Sequence, residues 1–170
     1  MKINLILKFL VLVAIFTFSC KKKSEPTPKD LLTAHIWIGV NLNYNVNTFG
    51  FSDAQIVNTD STAVEFTKDN IVIFYTRDVN TGLLTERNRQ TYTLSSDSKK
   101  IEISSTDGLL SPEIQASLSV FGITVPTSIN IEKITTTELI LKGSLQQNIN
   151  IPQLPIPVPL TANYTWTYRN

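Results

Sequence analysis

The sequence predicts an all-β domain: an eight-stranded antiparallel up-and-down barrel with one short helix in a loop. The first observation is that apolar and polar residues alternate with a period of two in several separate segments, as in strands with one buried face. The second is that turn-forming pairs, such as Asp69 with Asn70 and Asp97 with Ser98, separate these segments. The third is that no unit recurs at a longer fixed spacing, which argues against repeat architectures.

Eight consecutive segments carry the strand pattern. Segment 35–46 is the clearest, because apolar residues occupy its even positions and asparagines occupy positions 41, 43 and 45. Segment 71–75 is apolar on both faces, so we expect it to be covered on both sides. The other six predicted strands are 64–67, 91–94, 101–103, 129–134, 139–141 and 160–168. A sandwich of similar size fits the same number of antiparallel strands and stays open as an alternative.

Helical signals are confined to two short segments. Ser111, Pro112 and Glu113 have the order of an N-cap, a first-turn proline and a first-turn acid, which predicts a short helix that runs to Val120. A single turn is also predicted at 30–33, just before the first strand.

The lengths of the loops predict two different ends for the barrel. In an up-and-down meander, alternate connections lie at opposite ends of the strands. Tight connections are found at 68–70, 96–99 and 135–137, and long ones at 47–61, 107–128 and 144–159. We therefore expect a tight closed end, which also holds both termini of the domain, and a loop-rich mouth that faces away from them.

The first thirty residues predict export and attachment to a membrane. Lys2 and Lys8 accompany an apolar run at 9–18 that is too short to span a membrane. Cys20 follows directly and is the sole cysteine of the chain. This arrangement resembles a lipoprotein signal, in which residues 1–19 are removed and Cys20 carries the lipid. The alternative is an ordinary cysteine at the end of a secretory signal.

Three segments follow from this interpretation. Residues 1–19 are the signal peptide, residues 20–30 are the lipidated cysteine with a flexible tether, and residues 31–170 are the folded domain. Lys21 stands where an acidic residue resembles an inner-membrane retention signal, so we expect the outer membrane. The pattern does not fix which side of that membrane the domain faces.

Composition argues against several classes of function. From Asp30 onward, 9 lysines and arginines stand against 13 aspartates and glutamates, which argues against a nucleic-acid partner. His35 is the single histidine, so neither a multi-histidine metal site nor a serine-histidine-aspartate relay with a spare histidine can form. A lipidated Cys20 offers no thiol. We therefore expect no enzymatic activity, no metal and no cofactor.

The mouth loops are unusually apolar. Four prolines between positions 152 and 159 alternate with apolar residues, and segment 109–125 is similarly rich in apolar side chains. Because loops are mostly polar, these side chains are candidates to line a ligand site. The candidates are Phe49, Phe51, Leu118, Phe121, Ile123, Ile151, Leu154 and Ile156. The alternative is that the two segments pack on each other as a second small core.

Segment 31–37 resembles the opening of lipocalin-like domains of bacterial envelope lipoproteins, in which a short turn precedes a Gly-x-Trp. Trp37 matches the tryptophan, whereas His35 stands in place of the glycine. Further similar stretches are 66–70, 92–97 and 131–141. The resemblance implies a barrel with Trp37 packed across its closed end against a basic residue, for which Arg169 is the candidate. Since the first strand has its apolar residues at even positions, an inward Trp37 requires a bulge.

Two functions remain open. The resemblance implies a lipid-anchored protein, attached to the membrane through Cys20, that binds a small hydrophobic ligand at the barrel mouth. The alternative is a structural or interaction lipoprotein with a filled core, whose mouth loops dock another envelope protein. The size of the interior distinguishes them, because a filled eight-stranded barrel has room only for its own side chains.

Overall fold

Nine antiparallel strands and one short helix form the fold in a computed structural model, which describes residues 25–105, 116, 118–120, 122–149 and 156–170. Their order is α1 (Pro28–Leu32), β1 (Ile36–Thr48), β2 (Phe51–Asn58), β3 (Thr62–Phe66), β4 (Ile71–Arg77), β5 (Leu84–Leu94), β6 (Lys100–Ile103), β7 (Ser128–Ile134), β8 (Glu138–Ile149) and β9 (Val158–Arg169). All eight predicted strands are present. α1 begins two residues before the turn predicted at 30–33 and ends at Leu32, with Thr33 as its C-cap.

Strand pairing closes the sheet into a barrel. Strands β3 to β9 pair with their neighbours in chain order, and β9 returns to pair with β1. On its other edge, β1 pairs with β3 through Ile36 to Ile38 and with β2 through Asn41 to Thr48. Eight strands, β1 and β3 to β9, therefore form a closed antiparallel up-and-down barrel. The predicted fold class is confirmed, and the sandwich alternative is not.

β2 lies within segment 47–61, which the sequence pattern predicts as a loop, and that prediction is wrong. Phe49 and Gly50 have φ angles of 48° and 80°. Two adjacent residues with positive φ form the tight turn that matches the twist of a β-hairpin. All eight residues of β2 are exposed, so no buried face marks the strand in the sequence.

β1, β2, β8 and β9 continue past the barrel wall as a four-stranded extension. In this extension, β1 pairs through residues 41–48 with β2 on one side and with β9 on the other. β8 pairs through residues 144–149 with residues 158–163 of β9. β7 pairs with β8 only up to Lys142, and β3 pairs with β1 only from Ile36 to Ile38. We call this extension the mouth ribbon.

A β-bulge at Val40 reverses which side chains of β1 face inward. The pairing of β1 with β9 shifts by one residue between Gly39 and Asn41. Before the bulge Trp37 faces inward, and after it Leu42 does, whereas Ile36 is 37% exposed. The bulge that an inward Trp37 requires is therefore present. Gly39 has no room for a side chain, because a Cβ there would collide with the carbonyl oxygen of Thr59.

The closed half of the barrel is filled by its own side chains. The largest completely buried residues include Trp37 and Tyr92, and the ring of Phe66 packs edge-on against Tyr92 at 5.2 Å between centroids. The other buried members of this core are Leu32, Val64, Val72, Phe74, Ile101, Ile103, Ile129, Leu139, Leu141, Trp166 and Tyr168.

α1 lies at the closed end, as the loop lengths predict. Thr27 and Asp30 form a capping box that starts the helix, and Leu32 is fully buried. The Nε1 of Trp37 donates a hydrogen bond of 2.9 Å to the carbonyl oxygen of Leu32. At the other terminus, the Asn170 side-chain amide donates to the carbonyl oxygen of Thr136. Both ends of the domain therefore meet at the closed end.

Arg169 does not take the place expected for it beside Trp37. Side chains alternate along a strand, so Arg169 points away from the core because Tyr168 points into it. Arg169 is exposed, and Trp37 instead meets the ring of His35 edge-on at 5.7 Å between centroids. The structure corrects the expected contact.

Of the helix predicted at 111–120, residues 116 and 118–120 are helical, and its predicted start at Ser111 lies outside the described residues.

Candidate functional site

An apolar cavity of about 390 Å³ lies at the mouth of the barrel. It lies between the inner face of the mouth ribbon and the described residues 118–120 and 122–126, which we call the cover segment. The lining consists of Leu42, Tyr44, Val46, Val57, Leu145, Ala162, Tyr164 and Trp166 from the strands, and of Leu118, Ile123, Val125 and Pro126 from the cover segment. None of these twelve residues is charged.

Strand alternation explains this lining. In β9, Ala162, Tyr164 and Trp166 face the cavity, whereas the intervening Asn163 is exposed. In β1 the bulge at Val40 places the apolar even positions on the inner face and the asparagines of the same strand on the outer face. A one-residue shift in register moves a whole set of side chains to the other face. The bulge is therefore what keeps the cavity apolar.

Gln147 of β8 holds the cover segment in place. Its Oε1 accepts a hydrogen bond of 3.2 Å from the backbone N–H of Thr124, and its Nε2 donates one of 3.4 Å to the carbonyl oxygen of Gly122. Within the segment, the backbone N–H of Ile123 donates to the carbonyl oxygen of Leu118 at 3.0 Å. One side chain thus fastens both sides of the turn that covers the cavity.

A second small core adjoins the cavity. Ile149, Val158 and Leu160 are buried at the far end of the mouth ribbon. Val46, Ile123 and Leu145 pack against them and also line the cavity. The mouth is therefore partly filled by its own side chains, and the cavity lies between this second core and the filled closed half.

Tyr164, whose side chain lines the cavity, carries a buried polar atom. Its ring lies over Gly143, the residue opposite it on β8, and occupies the space that a Cβ at position 143 would need. The ring of Trp166 meets it edge-on at 4.8 Å between centroids. The Tyr164 hydroxyl is buried and has no hydrogen-bond partner among the described residues. Burial raises the pKa of this hydroxyl above its ordinary value, so it stays protonated at neutral pH.

Two of the eight predicted lining residues, Leu118 and Ile123, line the cavity. Both residues lie on the cover segment, which belongs to the long loop whose apolar residues predict a ligand site. Phe121, Ile151 and Leu154 lie outside the described residues.

The other three predicted lining residues lie elsewhere. Phe49 lies in the turn of the β1–β2 hairpin and Phe51 follows that turn, and their side chains are 53% and 77% exposed. Ile156 is 60% exposed just before β9. None of these three side chains is part of the cavity lining.

Most of the lining comes from strands that the sequence pattern predicts as core. Leu42, Tyr44, Ala162 and Tyr164 lie on apolar faces of the first and last predicted strands. The sequence therefore predicts that these side chains face inward. An alternating pattern does not distinguish an inward side chain that packs against other side chains from one that faces a cavity.

The outer face of the mouth ribbon carries a wider depression of about 450 Å³. Asn43, Asn45, Asn163 and Thr165 form its floor, with Ile56 of β2 at one side. This depression is more open to water than the inner cavity, so it removes less ligand surface from solvent. We therefore take the inner cavity as the candidate site.

Comparisons of the chain with protein-family models, with curated proteins and with solved structures find no match. The resemblance to lipocalin-like domains thus stays a prediction. Within the described part of the chain, no helix is long and apolar enough to cross a membrane. Among the same residues, no three histidine, cysteine, aspartate or glutamate side chains are grouped so that they could hold a metal ion.

Proposed function

We propose that the protein is a non-catalytic binding protein that holds a small hydrophobic molecule in the cavity at the barrel mouth. The observation that carries this proposal is the partly open apolar cavity of about 390 Å³ with twelve uncharged lining residues. Its volume falls within the range of roughly 300–1,000 Å³ that is common for small-molecule sites. At about 30 Å³ for each water-sized group, it has room for on the order of ten to fifteen non-hydrogen atoms.

The chemistry of the lining supports an apolar ligand. Water inside such a cavity finds few hydrogen-bond partners, whereas an apolar molecule gains about 25 cal/mol for each Å² of surface removed from water. The filled half of the barrel below Trp166 supplies a rigid base for the site. Gln147 fixes the cover segment above it.

The second core favours one alternative. Because Ile149, Val158 and Leu160 already fill part of the mouth, the cavity can also be a packing defect in a structural protein. In that case the mouth loops would dock another envelope protein. Ligand binding by the folded protein separates the two functions.

A cavity-filling substitution tests the binding function. We expect a neutral naphthalene dye of about twelve non-hydrogen atoms to bind the purified protein at one saturable site. Ala162→Leu places three further carbon atoms in the cavity, so we expect the dye affinity to fall by about tenfold or more, with a melting temperature equal to or above that of the wild type. The measurements are a fluorescence titration and a thermal melt.

Asn163→Leu is the matched control, because it adds the same side chain to the outer face of the same strand. The dye affinity of this variant should equal that of the wild type. Absence of a saturable site in the wild type, or equal dye affinity in both variants and the wild type, would contradict the binding function. An unliganded Ala162→Leu that is more stable than the wild type would then support the structural alternative.

We further propose that a lipid on Cys20 anchors the protein to the outer membrane. The support is the export pattern of residues 1–19 and the sole cysteine that follows it. Since α1 packs at the closed end, the chain enters the domain at the end opposite the cavity. A tether that ends where α1 begins at Pro28, three residues earlier than the sequence predicts, would then direct the mouth away from the membrane surface.

Cys20→Ser tests the anchor. We expect this variant to incorporate no labelled fatty acid and to leave the membrane fraction, because no other thiol is present to accept the lipid. Growth with labelled palmitate followed by fractionation measures both effects. The reference is wild-type protein expressed to the same level. A Cys20→Ser variant that keeps its label would refute the anchor.

A further inference from the structure

Gln147 is a polar residue in an apolar row. Side chains alternate along β8, so Leu145, Gln147 and Ile149 share the inner face of the mouth ribbon. Leu145 lines the cavity, Ile149 belongs to the second core, and the residue opposite Gln147 on β9 is the buried Leu160. An apolar side chain is the usual occupant of such a position, which indicates a specific role for the amide.

The amide of Gln147 connects β8 with the cover segment. Its Oε1 accepts from the backbone N–H of Thr124 at 3.2 Å, and its Nε2 donates to the carbonyl oxygen of Gly122 at 3.4 Å. Within the described part of the chain, the other hydrogen bonds of residues 118–120 and 122–126 stay among residues 116–126. Every hydrogen bond that joins the described cover segment to the barrel therefore involves this one side chain.

We propose that Gln147 is a latch: its two hydrogen bonds hold the cover segment closed, and when they break the segment moves so that a ligand enters or leaves the cavity. This inference rests on the binding function proposed above and concerns how the same site exchanges its ligand.

The cover segment is the wall of the cavity that moves at the lowest cost. The opposite wall is the mouth ribbon, in which β9 pairs with β1 on one side and with β8 on the other. The described residues of the cover segment lie in no strand, and the segment contacts the second core through Ile123. Segments with few hydrogen bonds to the rest of a fold open more readily than paired strands. The segment supplies four of the twelve lining residues, so its displacement exposes the cavity.

Hydrogen bonds suit a contact that opens and closes. A glutamine amide that is released from Thr124 and Gly122 forms hydrogen bonds with water instead, so the net cost of opening is small. A leucine at position 147 would hold the segment by apolar contact, and exposure of that contact to water is unfavourable. The chemistry of Gln147 therefore favours ligand exchange over permanent closure.

Stopped-flow mixing of the naphthalene dye with Gln147→Ala tests the inference. Because the latch is present with and without ligand, its loss should raise the rate constants of dye association and dissociation by a similar factor, about tenfold for two hydrogen bonds. The dissociation constant is the ratio of these two rate constants, so it should change little. A thermal melt verifies that the variant is folded.

Gln146→Ala is the matched control, since Gln146 is the neighbouring glutamine of β8 and is exposed on the outer face. Both rate constants of this variant should equal those of the wild type. A role for Gln147 that is only structural gives a different pattern from a latch. In that case dissociation alone becomes faster in Gln147→Ala, and the dissociation constant rises.

The outcomes separate the latch from the function on which it rests. If the dye has no saturable site in the wild type, the binding function fails and the latch fails with it. If the wild type binds the dye but Gln147→Ala keeps both rate constants, or accelerates dissociation alone, only the latch is wrong. Loss of dye binding by a folded Gln147→Ala, or equal acceleration in Gln146→Ala, also overturns it.

Discussion

Trp37→Ala is expected to lower the free energy of unfolding by about 3–5 kcal/mol, the range for removal of a large buried aromatic side chain. Trp37 is 0% exposed and packs where β1 enters the barrel, directly below α1. The substitution also removes the donor for the carbonyl oxygen of Leu32. Urea denaturation followed by far-ultraviolet circular dichroism measures the change.

Trp37→Phe separates packing from hydrogen bonding. The phenyl ring retains most of the buried surface but cannot donate to Leu32, so we expect a smaller loss than for alanine. Neither substitution should change the dye affinity of the folded protein, because Trp37 lies at the end opposite the cavity. A Trp37→Ala variant as stable as the wild type would show that this ring does not close the barrel.

Trp166→Ala is expected to cost a similar amount, about 3–5 kcal/mol, and to alter binding as well. Trp166 is 5% exposed and belongs both to the filled core and to the cavity lining, so it forms the floor between them. Its removal joins the cavity to new empty space in the core. We therefore expect a shift in ligand size preference toward larger molecules, measured by dye displacement with a series of ketones.

Thr167→Ala is the control for Trp166→Ala. Thr167 follows Trp166 in β9 and points to the opposite face, so its truncation should change stability by less than about 0.5 kcal/mol. If Trp166→Ala melts at the wild-type temperature, the inward register of β9 is wrong, and with it the assignment of Tyr164 to the cavity.

The sequence is sufficient to predict the strands that have a buried face. Val64 and Phe66, or Ile101 and Ile103, alternate with polar neighbours because one side of each strand packs on the core. β2 shows no such alternation, since all its residues are exposed and the strand is held by backbone pairing with β1. Pairing of this kind involves main-chain atoms alone, so the side-chain pattern did not reveal it.

The bulge in β1 shows a second limit of structure prediction from the sequence. Trp37 at an odd position and Leu42 at an even one together require that β1 change its inward face, and this much follows from the sequence. The position of the change at Val40 does not, because it depends on the pairing of β1 with β9. The outward position of Arg169 does follow from the sequence, since the same alternation that turns Tyr168 inward turns its neighbour outward.

The site itself could be predicted only in part. Leu118 and Ile123 were found because apolar residues are unusual in a loop. The sequence pattern places Tyr164 on an inward face, yet the position of its ring depends on Gly143, which is distant in sequence and leaves room for it. Whether inward side chains meet or leave a void is decided by distances across the barrel, which a one-dimensional pattern does not contain.

The outer edge of β2 bears on how the folded protein behaves in concentrated solution. Closing a barrel gives every strand two neighbours, but β2 pairs only with β1 among the described strands. Proteins usually protect such an edge with lysine, proline or a bulge, and β2 has none of these; Asp53 is its single charged residue. The exposed side chains of Phe51 and Ile56 further favour association of this strand with other copies of the protein. Aggregation of the native state should therefore start at this strand, whose eight residues contribute nothing to the buried core.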